Sequence, residues 1–122
     1  MKLTGIDHIL LYSSDLDTSE AFYKDIGFKT KRNNDFIEAK LGRSKLVLFD
    51  QSKVHFKKEV KIEPKGAGVF IMINVDDVND YHKSITSKGL SPSSDPKDWP
   101  WGNREFVIKD PDGYKLVFFE EI

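Results

Sequence analysis

The sequence predicts an α+β fold made of two similar halves, each with a strand, then a helix, then further strands. The first observation behind this is a gap-free internal repeat at an offset of 62 residues. Its matches are His8–Leu11 with Phe70–Ile73, Asp15-Leu16 with Asp77-Val78, and Gly27-Phe28 with Gly89-Leu90. The second observation is another repeated block, in which Lys45–Phe49 matches Lys115–Phe119. Repeats of this kind indicate the architecture of a chain directly.

The first half begins with an apolar strand over residues 7–12, in which His8, Leu10 and Tyr12 share one face because side chains alternate along a strand. Asp15 or Asp17 then opens a helix over residues 17–26, and Gly27 ends it. Three further strands are predicted, separated by turns rich in Asn and Gly, at residues 28–32, 36–41 and 45–49.

The second half follows a polar, basic linker over residues 50–68. A strand is predicted at residues 69–75 and a helix at 77–88, which Asp76 or Asp77 caps. Residues 91–103 are predicted to form a long loop with three prolines and both tryptophans. Such loops are often functional. The last two strands are predicted at residues 104–109 and 114–120.

Composition limits the classes of function. A length of 122 residues favours a single domain over residues 1–122, with modules 1–60 and 61–122. The net charge of −1, with both signs interspersed, argues against nucleic acid as a partner. The sequence contains no cysteine, and it has no apolar run of signal-peptide length at its start or of membrane-spanning length elsewhere. We therefore expect a cytoplasmic protein with no membrane partner.

Three motifs resemble one known family over essentially the whole chain. They are Asp7-His8, the helix end from Phe22-Tyr23 to Gly27-Phe28, and Asp110-Pro111-Asp112-Gly113 followed by Leu116–Glu120. Together they resemble the vicinal oxygen chelate superfamily of glyoxalases, bleomycin-resistance proteins and extradiol dioxygenases. The resemblance implies two βαβββ modules curled into open half-barrels, and a homodimer with ligand sites in the concave grooves. The stretch Trp99–Phe106 is similar to a Pro-Trp-Gly, Arg-Glu-Phe segment of the bleomycin-resistance branch, with Asn103 inserted.

The same resemblance places the metal ligands of the superfamily's enzymes at His8, Val47, Phe70 and Val117. Only the histidine carries a donor atom, and catalytic metal sites typically use three protein ligands. His55 in the linker and His82 in the second helix are the alternative donors. The sequence therefore predicts no metal and no other cofactor. It leaves open whether His8 is a structural histidine or a ligand contact.

The predicted ligand site is an aromatic groove for a small planar molecule. Its residues are His8, Phe36, Phe49, Phe70, Trp99, Trp101, Arg104 and Glu105. Arg104 and Glu105 point to opposite sides of their strand, so one of the two is expected to reach the groove. The tryptophans are suited to stacking on a planar or cationic ligand, or to packing against a partner subunit.

These observations favour a metal-independent small-molecule binding protein that sequesters a planar ligand, as in antibiotic resistance. The alternative is a metal-dependent lyase, isomerase or dioxygenase of the same superfamily, so the question of catalysis stays open. A scaffold or regulatory domain, in which the dimer interface matters more than the groove, is a third interpretation.

Overall fold

The computed structural model describes residues 1–53 and 62–122, which form two compact units, 1–63 and 64–122. The elements are β1 (Ile9–Ser13), α1 (Leu16–Ile26), β2 (Lys29–Arg32), β3 (Phe36–Leu41), β4 (Ser44–Asp50), β5 (Phe70–Asn74), α2 (Val78–Ser87), β6 (Lys97–Asp98), β7 (Asn103–Lys109) and β8 (Lys115–Glu121). A single 3₁₀ turn, Gln51–Lys53, follows β4. Each unit is one βαβββ module, so the predicted α+β fold is confirmed, with open sheets rather than a closed barrel.

The first unit is a four-stranded sheet in the order β1-β4-β3-β2, in which β1 and β4 are parallel and the other pairs antiparallel. Helix α1 begins after Asp15, whose carboxylate accepts a hydrogen bond from the backbone N–H of Asp17 at 3.1 Å. Of the two caps left open by the sequence, the structure uses Asp15. The helix packs on one face of the sheet and buries Tyr23, Ile37 and Leu48 completely.

The second unit repeats this plan in the order β5-β8-β7-β6, with β5 parallel to β8. Asp77 caps α2 by accepting from the backbone N–H of Asp80 at 2.9 Å. The helix lays Tyr81 on the sheet, where its ring centroid lies 4.6 Å from that of Phe118 and 6.1 Å from that of Phe106. Burial of Tyr81 raises the pKa of its phenol above the usual range.

Most predicted helix and strand boundaries differ from the structure by one residue, and two differences are larger. The first strand begins at Ile9, whereas the alternation of apolar residues predicted a start at residue 7. The loop predicted at residues 91–103 contains the two-residue strand β6, which pairs with β7 through Lys97 opposite Glu105 and Asp98 opposite Arg104. A strand of two charged residues shows no alternation of apolar and polar side chains, so the sequence pattern cannot reveal it. Its pairing depends on the neighbouring strand. None of the described helices is long and apolar enough to cross a membrane.

Candidate functional site

Each sheet has one face covered by its helix and one face that the helix leaves open. In the first unit this first open face carries Leu10, Tyr12, Phe36, Val47 and Phe49, which the strand register places side by side. Leu10 is 45% exposed although it is apolar. The predicted site residues Phe36 and Phe49 are directly opposite each other on β3 and β4, so the structure brings this pair together.

His8 lies just before β1 at the edge of the first open face and belongs to a charged network. Its Nδ1 lies 2.7 Å from an oxygen of Asp7, and the Lys45 ammonium lies 3.5 Å from the same oxygen. The hydrogen bond from His8, together with the positive charge of Lys45, lowers the pKa of Asp7. Since Nδ1 is engaged by Asp7, Nε2 is the ring nitrogen that could reach a ligand.

Glu38 is a charged residue of the first open face that the sequence analysis did not single out. It is opposite Val47 in the register, and its carboxylate lies 3.9 Å from the Lys45 ammonium. The alternation of Phe36, Glu38 and Lys40 on β3 was the available signal. The carboxylate extends the network that begins at His8, so the end of the sheet near His8 is polar, whereas Tyr12, Phe36 and Phe49 make the other end aromatic.

The residues that the resemblance assigns to the superfamily's metal positions do not fit a divalent ion. Val47 and Val117 have side chains without donor atoms, as does Phe70. In the described ranges 1–53 and 62–122, no three His, Asp or Glu side chains come together in a way that could hold a metal. His55 lies outside the described residues. His82 packs edge-on against Phe106 with ring centroids 4.9 Å apart, on the helix-covered face of the second sheet.

The second open face belongs to the second sheet and carries Phe70, Met72, Val117, Phe119 and Glu105. Phe70 is 59% exposed and Met72 is 49% exposed. Glu105 is flanked in the register by Phe119 on β8 and by Lys97 on β6. The same face also carries the polar residues Asn74, Asn103, Lys115 and Glu121, so its apolar residues are interspersed with polar and charged ones.

Arg104 points to the opposite side of β7, as the alternation of side chains requires. Its Nε donates to the Asp98 carboxylate at 2.7 Å, and its Nη1 lies 3.9 Å from Glu120. The hydrogen bond from Arg104 lowers the pKa of Asp98 and raises that of the guanidinium. Of the two adjacent predicted contacts, Glu105 is the one on the open face.

Both tryptophans belong to a stacked column at the hairpin between β6 and β7. The indole rings of Trp99 and Trp101 lie 4.8 Å apart and are nearly parallel, at 10°. The Lys97 ammonium lies 4.1 Å from the ring centroid of Trp99. A tight turn holds the rings, because the N–H of Gly102 donates to the carbonyl of Trp99 at 3.0 Å. Trp101 is 61% exposed, so its ring is presented to solvent.

A separate polar cavity of about 610 Å³ lies in the first unit around the start of α1. Its lining includes Asp17 and Arg32, whose side chains meet at 2.7 Å. It also includes Gln51, whose Oε1 is buried without a hydrogen-bond partner in the described part of the chain. None of the predicted site residues lines this cavity. The candidate sites are therefore the first open face in the first unit and, in the second unit, the second open face with the tryptophan column.

Comparison with known proteins places this geometry in a family. The model of the glyoxalase/bleomycin resistance protein/dioxygenase superfamily matches residues 5–118. The chain belongs to this superfamily. Its βαβββ repeat and the open faces described above are therefore those of a superfamily member.

Individual relatives are more distant. The virulence protein STM3117 of Salmonella typhimurium is 28% identical over 124 residues, covering 93% of this chain and 81% of that protein. The lactoylglutathione lyase structure from Agrobacterium tumefaciens is 26% identical, with a TM-score of 0.71, covering 98% of this chain and 96% of that one. A bleomycin-binding protein complexed with bleomycin is 21% identical, with a TM-score of 0.69 and coverages of 98% and 100%. At this level of identity, the similarity shows only that the two proteins have the same fold.

Proposed function

We propose that this chain binds a planar small molecule without a metal ion, and that the tryptophan column with the second open face is its binding surface. The observation that carries the proposal is the exposed ring of Trp101, stacked on Trp99 and backed by the Lys97 ammonium. Soluble proteins rarely leave a large indole in solvent beside further exposed apolar side chains unless the surface binds something. A preformed stack offers a flat face at little entropic cost, because its rings are already ordered.

On the second open face, Glu105 is the predicted polar contact for such a ligand and Phe70 is an apolar contact. The predicted contacts His8, Phe36 and Phe49 lie on the first open face, which belongs to the other unit and would form a separate surface. Arg104 contributes through its ion pair with Asp98, which ties β6 to β7 just before the turn that carries the rings. Held in this way, a toxic compound would be removed from solution by stoichiometric binding, which is the basis for a role in antibiotic resistance.

A metal-dependent lyase, isomerase or dioxygenase is the second candidate function. The 26% identity to a lactoylglutathione lyase favours it. Against it stand the side chains at the family's ligand positions, of which only His8 can donate to a metal. Elemental analysis of the purified protein tests this directly, since an enzyme of this type should retain about one divalent ion per site.

Trp101→Ala is expected to weaken ligand binding about tenfold or more, because a stacking contact is worth on the order of 1 kcal/mol in addition to the apolar area it buries, and 1.4 kcal/mol is one decade in affinity. A panel of planar aromatic compounds, screened by thermal shift, supplies the ligand, since a bound ligand raises the unfolding midpoint. Titration of tryptophan fluorescence then gives the dissociation constants. His8→Ala is the matched comparison and should have a smaller effect on binding. If His8→Ala abolished a metal-dependent turnover and Trp101→Ala were harmless, the enzyme interpretation would replace the binder.

We also propose that the protein is a homodimer. Ile9 and Leu10 on β1 are 49% and 45% exposed, and Val69 and Phe70 at β5 are 49% and 59% exposed. Both strands are at the edge of their sheets, where unpaired backbone groups add to the tendency to associate. Light scattering at micromolar concentration is expected to give twice the 14.0 kDa mass of one chain. A mass of one chain at that concentration would contradict the proposal.

A further inference from the structure

The two units carry a lysine at the same position of their open faces, but its surroundings differ. Lys45 on β4 matches Lys115 on β8 in the internal repeat. In the first unit, the Lys45 ammonium lies 3.5 Å from the Asp7 carboxylate and 3.9 Å from that of Glu38. The positive charge of this lysine is therefore balanced by two acidic side chains.

Both acidic partners are replaced by valine at the matching positions of the second unit. The shift of 62 residues matches Asp7 with Val69. Strand register matches Glu38 with Val107, because each is opposite the repeated valine on the last strand of its module. Lys115 forms no ion pair with any residue that the structure describes. Its charge is therefore left uncompensated, whereas that of its counterpart is balanced.

A second lysine adds to this positive charge. Lys109 on β7 is directly opposite Lys115, so the two side chains share the second open face, and like charges in this position repel. The acidic residues of the turn between the two lysines are engaged elsewhere. Asp110 accepts a hydrogen bond from the backbone N–H of Asp112 at 2.8 Å, and the Asp112 carboxylate lies 3.4 Å from the Lys65 ammonium. The turn therefore does not neutralise the lysine pair.

Exposed apolar side chains lie next to the lysine pair. Phe70 is opposite Lys115 in the register of β5 and β8, and the Lys115 ammonium lies 5.3 Å from its ring centroid. Phe70 is 59% exposed, and Met72, two residues along β5 on the same face, is 49% exposed. Both side chains are therefore accessible to a ligand. A positive group beside an accessible apolar surface fits a molecule with a negative group on an apolar body.

We propose that Phe70, Met72, Lys109 and Lys115, which we call the lysine end of the second open face, bind a small organic anion with an aromatic body. The negative group contacts the two ammonium groups, and the ring lies against Phe70 and Met72. The inference rests on the proposed function, since it takes the second open face as a binding surface, and it adds the charge of the ligand.

The lysine end and the tryptophan column are far enough apart to be tested separately. Phe119 is four residues beyond Lys115 on β8 and is opposite Glu105, which pairs in turn with Lys97. At the rise of a β-strand, four residues span roughly 13 Å. A ligand with one anionic group and two fused rings is shorter than this, so it occupies the lysine end without reaching the tryptophan rings.

Probes of closely similar shape measure the preference for charge. Naphthalene carboxylate is an anion near neutral pH, whereas naphthalene carboxamide is neutral. Isothermal titration calorimetry of the full chain gives both dissociation constants, and the carboxylate is expected to bind about tenfold more tightly, as two partly exposed ion pairs provide. Naphthyl phosphate is the third probe. A preference for either anion over the amide supports the inference, and the tighter anion identifies the negative group.

The internal repeat supplies a matched pair of variants. Lys115→Gln should reduce the tenfold preference to about threefold or less, because it leaves Lys109 as the one positive group at the site. Lys45→Gln removes the same charge at the equivalent position of the first unit. It should keep the tenfold preference, because Lys45 is already paired with Asp7 and Glu38.

A further variant neutralises the lysine end without removing either lysine. Val107 is half-buried on the open face. Val107→Glu places a carboxylate where Glu38 stands in the first unit, and it should reduce the preference to about one because the new carboxylate competes with the ligand for Lys115. Light scattering accompanies each titration, because the proposed dimer uses the neighbouring edge of β5. An unchanged mass would show that the variants act on binding and not on assembly.

The remaining outcomes separate the inference from the proposed function. Equal affinity for the carboxylate, the phosphate and the amide would overturn the inference and leave an uncharged aromatic binder standing. A preference that survives both Lys115→Gln and Val107→Glu, or that disappears in Lys45→Gln, would also overturn it. Failure of all three probes to bind would overturn the lysine end as a site. The proposed function would fall with it only if the wider panel of planar compounds failed as well.

Discussion

Replacing Phe118 by alanine is expected to lower the free energy of unfolding by about 3–5 kcal/mol, a large part of the stability of a chain of this size. Phe118 is 2% exposed and is the ring on which α2 packs. Its centroid lies 4.6 Å from that of Tyr81 and 5.5 Å from that of Phe106. Truncation removes these ring contacts and leaves a cavity between helix and sheet that the neighbouring rigid rings cannot fill.

The adjacent residue is a matched control, because Phe119 is on the opposite side of the same strand. It is partly exposed on the second open face and has Asn74 and Glu105 as its register partners. Phe119→Ala should cost about 1 kcal/mol, in proportion to the smaller area that it removes from solvent contact. Urea denaturation of both variants measures the difference. Equal losses would contradict this assignment, because they would mean that the open face of the strand is packed as closely as its helix-covered face.

That alternation is also why the fold was predictable from the sequence. The repeat between His8–Leu11 and Phe70–Ile73 aligned β1 with β5, and the structure places both as edge strands parallel to the last strand of their module. Period-two patterns then separated the faces, because a shift of one residue would expose every buried side chain. Strand β6 could not be predicted in this way, because its two charged residues form no alternating pattern.

The candidate site was predictable only in its residue types. The Trp-Pro-Trp segment indicated a stacking surface, and the structure adds that its two rings stack on each other with Lys97 above them. The spacing of residues does not indicate whether the Lys97 ammonium will lie over the Trp99 indole or contact Glu105, which is opposite it in the register. The position of the Lys97 ammonium depends on side-chain geometry across β6 and β7. Local propensity does not determine contacts of this kind.

A close approach of two backbone segments in the second unit was equally invisible in the sequence. Residues 65–66, ahead of β5, run against the turn between β7 and β8. The Lys65 ammonium lies 3.4 Å from the Asp112 carboxylate, and both side chains are only 4% exposed. A Cβ added to Gly66 would lie 2.9 Å from the carbonyl oxygen of Gly113 and 3.0 Å from the Cα of Tyr114. Both of these atoms belong to the backbone, which cannot move aside as a flexible side chain can.

Gly66→Ala is therefore expected to lower the free energy of unfolding by about 3 kcal/mol, which combines backbone strain with a steric clash.

Gly68→Ala is the control that separates the cost of backbone strain from the cost of the clash. Gly68 has the same φ of +76° as Gly66, but a Cβ there would meet nothing within 4 Å. It should cost about 1 kcal/mol, the penalty for an L-residue in the left-handed region. The difference of about 2 kcal/mol between the variants, measured by urea denaturation, is then the energy of the clash with Gly113 and Tyr114. Equal costs would show that residues 65–66 can move away from the turn, and that this approach does not hold the start of β5 in place.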